Sequence, residues 1–251
     1  MGDVVVVGAA GLVGRRTVTA LRDAGQHPVE VARSRGVDVV SGDGLDEALA
    51  GADAVIDVTN TAETDPDKVA DFFVRGTENL LAAEQRAGVI PHVLLSIVGI
   101  DSVAGNAHYE GKLRQEQLVE DGPIPWTIQR ATQFFDFAAM VVGWTTNDGV
   151  AAVPPLLVQP VAVADVAAVL VEHVVGTSQG CAAELAGPET HDLVDMARRT
   201  LAARNDPTRI VASWRGGPFG VGMAGEVLLP GPGARRGPTT FEAWLAQQAA
   251  T

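Results

Sequence analysis

Gly8, Gly11 and Gly14 stand three residues apart, directly after the apolar run Val4-Val5-Val6-Val7. Glycines at this spacing let a chain leave a strand in a turn that a Cβ would forbid, bring backbone against a ligand, and pack the next helix closely. The chemistry they suit is recognition of a dinucleotide's pyrophosphate by backbone N–H groups at a helix N-terminus, which needs no side-chain charge. The valine run then reads as a strand, Ala10 to Gly14 as loop and first turn, and Leu12, Val13, Val18 and Leu21 as one apolar helical face. The spacing G-x-x-G-x-x-G, without a Lys-Ser/Thr ending, excludes the mononucleotide P-loop.

Other chemistries find less support. Gly176-Thr177-Ser178-Gln179-Gly180 fits the G-x-S-x-G pattern of hydrolases. It follows a helical segment and precedes a strand, however, the reverse of what a nucleophile elbow requires. No two histidines lie four apart, so a zinc-binding helix is not supported. Cys181 is the only cysteine, which excludes an intrachain disulfide and a thiolate metal cluster; its apolar surroundings predict a buried small hydrophobe. No metal is expected. The net charge of -13 opposes nucleic-acid binding. A hydrophobic fraction of 47% with 20% charged residues suits a folded soluble domain. The first valines are too few to span a bilayer and lack a basic leader, so no membrane association and a cytoplasmic location are expected.

The elements that must position the glycine loop alternate between strand and helix over the first 140 or so residues, the rhythm of a parallel sheet covered on both faces. Strands are expected at residues 29–33, 38–40, 54–58, 93–96 and 126–129. Asp65-Pro66 supplies an N-cap and first-turn proline for a helix carrying Val69, Phe72, Phe73, Leu80 and Ala87 until Gly88. Prolines 154, 155 and 160 then change the rhythm; a helix over 165–175, a strand over 181–186, an irregular loop over 216–238 and a last helix over 241–248 follow. One Rossmann-type domain is expected. Residues 1–142 would be its dinucleotide-binding core and 143–251 interleaved elements with a small C-terminal substrate-side lobe.

In the order strand-glycine loop, Asp65-Pro66 helix, Leu94-Leu95-Ser96-Ile97-Val98-Gly99, Arg130-Ala131-Thr132-Gln133-Phe134-Phe135, Val163-Ala164-Asp165-Val166-Ala167 and Phe241-Glu242-Ala243-Trp244-Leu245, the chain resembles the atypical short-chain dehydrogenase/reductases of the NmrA-like group. The resemblance covers nearly the full length. It implies an α/β doubly wound parallel-sheet Rossmann fold, an NAD(P) cofactor at the strands' carboxyl ends, and a substrate pocket capped by the C-terminal lobe.

For the cofactor, NAD enzymes place Asp or Glu after the second strand to hold the ribose 2′-OH, whereas an Arg accommodates a 2′-phosphate. Here that position reads Arg33-Ser34-Arg35, which favours NADP(H) over NAD(H), with Arg15 a further candidate. By resemblance Asp43 borders the adenine and Thr59-Asn60 the ribose and nicotinamide side. Active relatives use a Ser or Thr, a Tyr and a Lys four residues after it. Here His108 occupies the tyrosine slot before Lys112, and Tyr109, the only tyrosine, stands three residues before it. On a helix His108 lies about 40° from Lys112 and Tyr109 about 60° to the other side, so both share its face. Imidazole can move a proton near neutral pH. Three readings stay open: His108 as acid/base, Tyr109 as acid/base, or Lys112 as a clamp on the nicotinamide ribose with neither. Ser96 suits a polar partner near the nicotinamide.

The implied activity is an oxidoreductase passing hydride to a small or medium apolar carbonyl, enone or quinone. The alternatives are an NADP(H)-binding redox sensor with little turnover and a redox-neutral isomerase or cyclase on the same fold. The partner expected is a small-molecule substrate, and a homo-oligomer is compatible with the chain.

Overall fold

The computed structural model describes residues 2–215 and 219–248. Two compact units share the chain, Met1–Arg130 with Val166–Ala183, and Ala131–Asp165 with Glu184–Thr251.

The first unit is built on β1 (Asp3–Val7), α1 (Leu12–Asp23), β2 (His27–Val31), α2 (Leu45–Leu49), β3 (Ala52–Asp57), α3 (Pro66–Ala87), β4 (His92–Ile97), α4 (Ala107–Glu120) and β5 (Trp126–Ala131). The strands lie in the order β2-β1-β3-β4-β5, and the register of β1 with β2 and β3, and of β3 with β4, is parallel. Val4 to Val7 are all buried because β1 is paired on both edges and covered on both faces, which is why this strand is apolar throughout rather than alternating. Having formed β2 on one side of β1, the chain crosses to form β3 on the other. This reversal opens a crevice at the strands' carboxyl ends, the ligand position of doubly wound sheets. The fold is the Rossmann-type α/β class expected.

α3 begins and ends as its sequence dictates. Asp65 Oδ1 accepts from the backbone of Asp67 at 3.0 Å and Lys68 at 3.3 Å, Pro66 opens the first turn, and Gly88 closes the helix in the left-handed region. Val69, Phe73, Leu80 and Ala83 form its buried face, while Phe72 is only half-buried.

Two expectations are corrected. Asp38-Val39-Val40 is a turn, so the strand at 52–57 is the third rather than the fourth. The Asp38 carboxylate accepts from the Val40 backbone at 2.8 Å, Asn79 Nδ2 donates to the Val39 and Val40 carbonyls at 2.9 Å each, and Gly42 and Gly44 adopt positive φ. Side-chain turn chemistry outweighs three extended residues there. Cys181 is exposed, not buried. The strand expected over 181–186 is two fragments, Gly180–Cys181 against β5 and Leu185–Ala186, and the thiol lies 3.7 Å from Glu120 Oε1. Partial desolvation of this exposed residue, then the Glu120 charge, pushes the thiol up.

In the second unit Leu185–Ala186 pairs with Arg235–Arg236, and Leu185 with Ala131. Strand Val150–Val153 pairs with Thr146–Asn147 through a turn in which Asp148 and Gly149 both take positive φ, and on its other edge with Arg209–Ala212. Phe135, Phe241 and Trp244 pack ring to ring at 5.6–5.8 Å. Asp165 accepts from the Thr239 backbone and hydroxyl at 3.0 and 2.9 Å. Residues 216–218 of the expected loop lie outside the described residues; residues 219–238 are irregular apart from short pieces at Val221–Met223 and Arg235–Arg236. The last helix is Phe241–Gln248.

Candidate active site

The glycine loop has the shape its sequence requires. Gly8 takes φ +89°, and a Cβ there would lie 2.9 Å from the Val58 carbonyl oxygen. At Gly14 a Cβ would press into the Gly8 carbonyl and lie 2.7 Å from Ala9 Cα. The Gly8 and Ala9 amides donate to the Val31 carbonyl at 3.0 and 3.1 Å, pinning the loop to the end of β2. Asp65, Asn106 and Asp192 cap α3, α4 and the helix Leu193–Ala203 with their side chains, but α1 starts at Gly11 with no side-chain cap. First-turn amides without such an acceptor, at the positive end of a helix dipole, suit a phosphate. Ala10 and Leu12 sit on the exposed rim of this loop and Val13 and Gly14 are buried beneath it. Arg15 folds back to donate to the Ala10 carbonyl.

Beyond β2 a single 3-10 turn holds Arg33, Ser34 and Arg35, all exposed. Arg35 donates to Glu30 at 2.6 Å, and Glu30 also accepts from Arg22 at 2.8 Å. Asp43 is exposed in the Gly42–Gly44 bend and accepts from Ser41 at 2.8 Å. After β3, Thr59 donates its amide to Asp57 Oδ1 at 2.8 Å, and exposed Asn60 accepts from the Thr61 amide at 2.9 Å.

A second group lies between β3, β4, α3 and α4. Lys112 is 4% exposed, and its ammonium donates to the Leu95 carbonyl at 2.7 Å and to Gln115 Oε1 at 2.5 Å, with the Phe73 ring centroid at 5.5 Å. Gln115 passes the bonding on to Asp57 and Thr59. Ser96, near the end of β4, is buried, and its hydroxyl has no hydrogen-bond partner among the described residues. Half-buried His108 sets its ring edge-on to Phe73 at 5.4 Å, and Tyr109 is buried. Asn106 caps the helix that carries all three through the His108 and Tyr109 amides.

Burial sets the charges here. It is the largest influence on Lys112, lowering its pKa to about 8 against the opposing pull of Asp57 and Glu116. Burial, then the Lys112 charge, lowers His108 to about 4. Burial thus favours the neutral imidazole of His108 at pH 7. Asp57, Gln115 and Phe73 escaped sequence reasoning. Two signals were present: Gln115 follows Lys112 by three on one helix face, and Asp57 directly follows the apolar run Ala54-Val55-Ile56 at the end of β3.

Residues 8–175 match the model of the family described as NAD(P)H-binding. A (4-alkanoyl-5-oxo-2,5-dihydrofuran-3-yl)methyl phosphate reductase of Streptomyces griseus is 34% identical over 207 residues, covering 74% of this chain and 68% of the relative. Among solved structures, the dTDP-4-dehydrorhamnose reductase of Bacillus anthracis in complex with NADP has a TM-score of 0.75 at 14% identity, with 98% of each chain covered. A short-chain dehydrogenase/reductase superfamily protein of Agrobacterium tumefaciens with bound NAD has a TM-score of 0.69 at 20% identity, covering 99% of this chain and 96% of that one. Those two likenesses show the fold. With the uncapped glycine loop, the family match over two-thirds of the chain and the Streptomyces relative together, the chain belongs to the NAD(P)H-binding family.

Proposed function

We propose that this chain is an NADP(H)-dependent reductase of a small or medium apolar carbonyl, enone or quinone. The observation that carries the reading is one unit holding both a glycine cradle with uncapped helix amides and, near the end of β4, a buried Ser96 hydroxyl without a hydrogen-bond partner among the described residues, next in sequence to Leu95, whose carbonyl holds the Lys112 ammonium. The Streptomyces relative's name supports the unsaturated-carbonyl part of this class and not its apolar part, since the oxo-dihydrofuran it names bears an alkanoyl group and also a charged phosphate ester.

When bound, the reduced nicotinamide supplies a hydride. The chain's residues do the rest. Amides of Leu12 to Gly14 hold the pyrophosphate where Gly11 lets it approach the backbone, Arg33 meets a 2′-phosphate with Ser34 and Arg35 beside it, and Asp43 borders the adenine. Thr59 and Asn60 line the ribose side, and Lys112 holds the nicotinamide ribose. Ser96 donates to the substrate oxygen as negative charge develops on it. His108, as a neutral imidazole, or Tyr109 hands on the proton that completes the product, or solvent supplies it.

A redox-sensor reading is favoured by one observation: the slot four residues before Lys112 holds His108 rather than a tyrosine. NADPH oxidation across a panel of quinones, enones and ketones separates the two. Turnover is expected with at least one class; tight NADPH binding with no turnover on any would put the sensor first.

A further inference from the structure

Lys112 and Asp57 are buried ions of opposite sign, and one neutral side chain stands between them. Gln115 Oε1 accepts from Lys112 Nζ at 2.5 Å, while Gln115 Nε2 donates to Asp57 Oδ2 at 2.9 Å and reaches Thr59 Oγ1 at 3.3 Å. The amide's dipole matches this task, its carbonyl toward the cation and its amino group toward the anion. Lys112 uses a second N–H on the Leu95 carbonyl, and its third has no hydrogen-bond partner among the described residues.

We propose that Gln115 is a positioning residue for Lys112: its amide holds the ammonium off the Asp57 carboxylate and ties it to Thr59, keeping the third N–H available to a ligand. The inference rests on the reading of Lys112 as a ribose contact. In a low-dielectric interior, opposite charges attract strongly enough to close directly on each other when nothing polar separates them. Such a closure would turn the ammonium toward β3. Glutamine prevents it without leaving either ion unsatisfied: Asp57 Oδ1 takes the Thr59 amide, Oδ2 takes Gln115, and the two proposed cofactor contacts, Thr59 and Lys112, become parts of one rigid chain of bonds. The other groups facing Lys112 leave this task to Gln115. Glu116, on the same helix, is engaged by Arg130 at 2.6 Å, His108 is neutral at pH 7, and Phe73 offers only its ring face.

Lys68 and Lys112 are the chain's only lysines, so a lysine-labelled sample yields a two-resonance NMR spectrum, with Lys112 assigned by its loss in Lys112→Met. In the cofactor-free protein, Gln115→Glu should raise the Lys112 titration midpoint by about one pH unit or more, and Gln115→Met, which removes the spacer and lets the ammonium close on Asp57, should raise it as well. At pH 7, Gln115→Glu should weaken NADPH about ten-fold as the ammonium turns toward the introduced carboxylate. The near-isosteric Glu variant carries the test if the Met variant melts early. An Lys112 midpoint unmoved in both variants overturns the proposal. The underlying reading fails separately: NADPH affinity unchanged in Lys112→Met, with the midpoint still moved by Gln115→Glu, removes the ribose contact and leaves the positioning role standing.

Discussion

Arg35 donates to Glu30 across 2.6 Å, whereas the guanidinium of Arg33, two residues earlier on the same turn, has no hydrogen bond or ion pair among the described residues. The two arginines are therefore unequal: one is already neutralised and the other is open to an anion. Arg33→Ala should weaken NADPH about ten-fold or more while NADH changes by less than about two-fold. Arg35→Ala should do less to either. Fluorescence titrations of both cofactors check this, and equal weakening of NADPH and NADH by Arg33→Ala would take that residue away from the 2′-phosphate.

Ser96 carries a hydroxyl that folding has buried without a partner. A buried polar group with no bond costs stability, so Ser96→Ala should melt no earlier than the parent and up to a few degrees later. Its NADPH oxidation should fall about a hundred-fold, the loss typical of one donor to a developing oxyanion. A variant that is both destabilised and fully active would assign Ser96 to packing instead.

Lys112 is a cation only below its lowered pKa of about 8. As pH rises through that value the ammonium loses its charge, so NADPH affinity should decline between about pH 7 and 9. In Lys112→Met the decline should vanish, with affinity already low throughout. His108, lowered to about 4, adds no break to rate profiles between pH 5.5 and 7.5. A rate change near pH 6.5 that disappears in His108→Asn would contradict this.

Glu84 on α3 and His92 at the start of β4 pair at 2.8 Å with neither side chain exposed. Burial alone pushes His92 down, but the Glu84 carboxylate outweighs it and the net shift is upward. The folded state thus holds a proton more firmly than the unfolded one. The resulting stability is complete below the unfolded value of about 6.5 and is lost as pH rises through the higher folded value. Glu84→Gln should cost about 3 kcal/mol near pH 6, a drop of about 10 °C in melting temperature, and less at pH 9. Melting curves at the two pH values test it; a pH-independent difference would mean the pair is not coupled to this proton.

Features that depend on near neighbours in sequence were legible before any coordinates. Asp65-Pro66 and Gly88 bound α3 through local capping, and the glycine spacing marks a loop because a Cβ at Gly14 meets the Gly8 and Ala9 backbone that the loop itself places there, whereas the Val58 backbone that excludes a Cβ at Gly8 is about fifty positions away. Asp38-Val39-Val40 misled because apolar residues suit both an extended strand and a half-buried turn, and the deciding partner, Asn79, lies about forty positions away. Cys181 misled because exposure at the end of a two-residue strand depends on what packs there, not on its apolar neighbours. The Lys112-Gln115-Asp57 chain joins an internal helix face to a strand end fifty-eight positions away, a separation no local pattern encodes.

The turn at residues 38–40 also decides which strand ends the sheet. With no third strand laid beside it, β2 is the terminal strand of the first unit's sheet, and an open strand edge is a template on which a second chain can add. Pro28 sits within its five residues and contributes no N–H, and Glu30 with Arg22 and Arg35 sets charge near its end. Both features make that edge a poor surface for strand addition and aggregation. Replacing the proline with a β-branched residue would complete the row of donors and so remove a built-in guard against self-association.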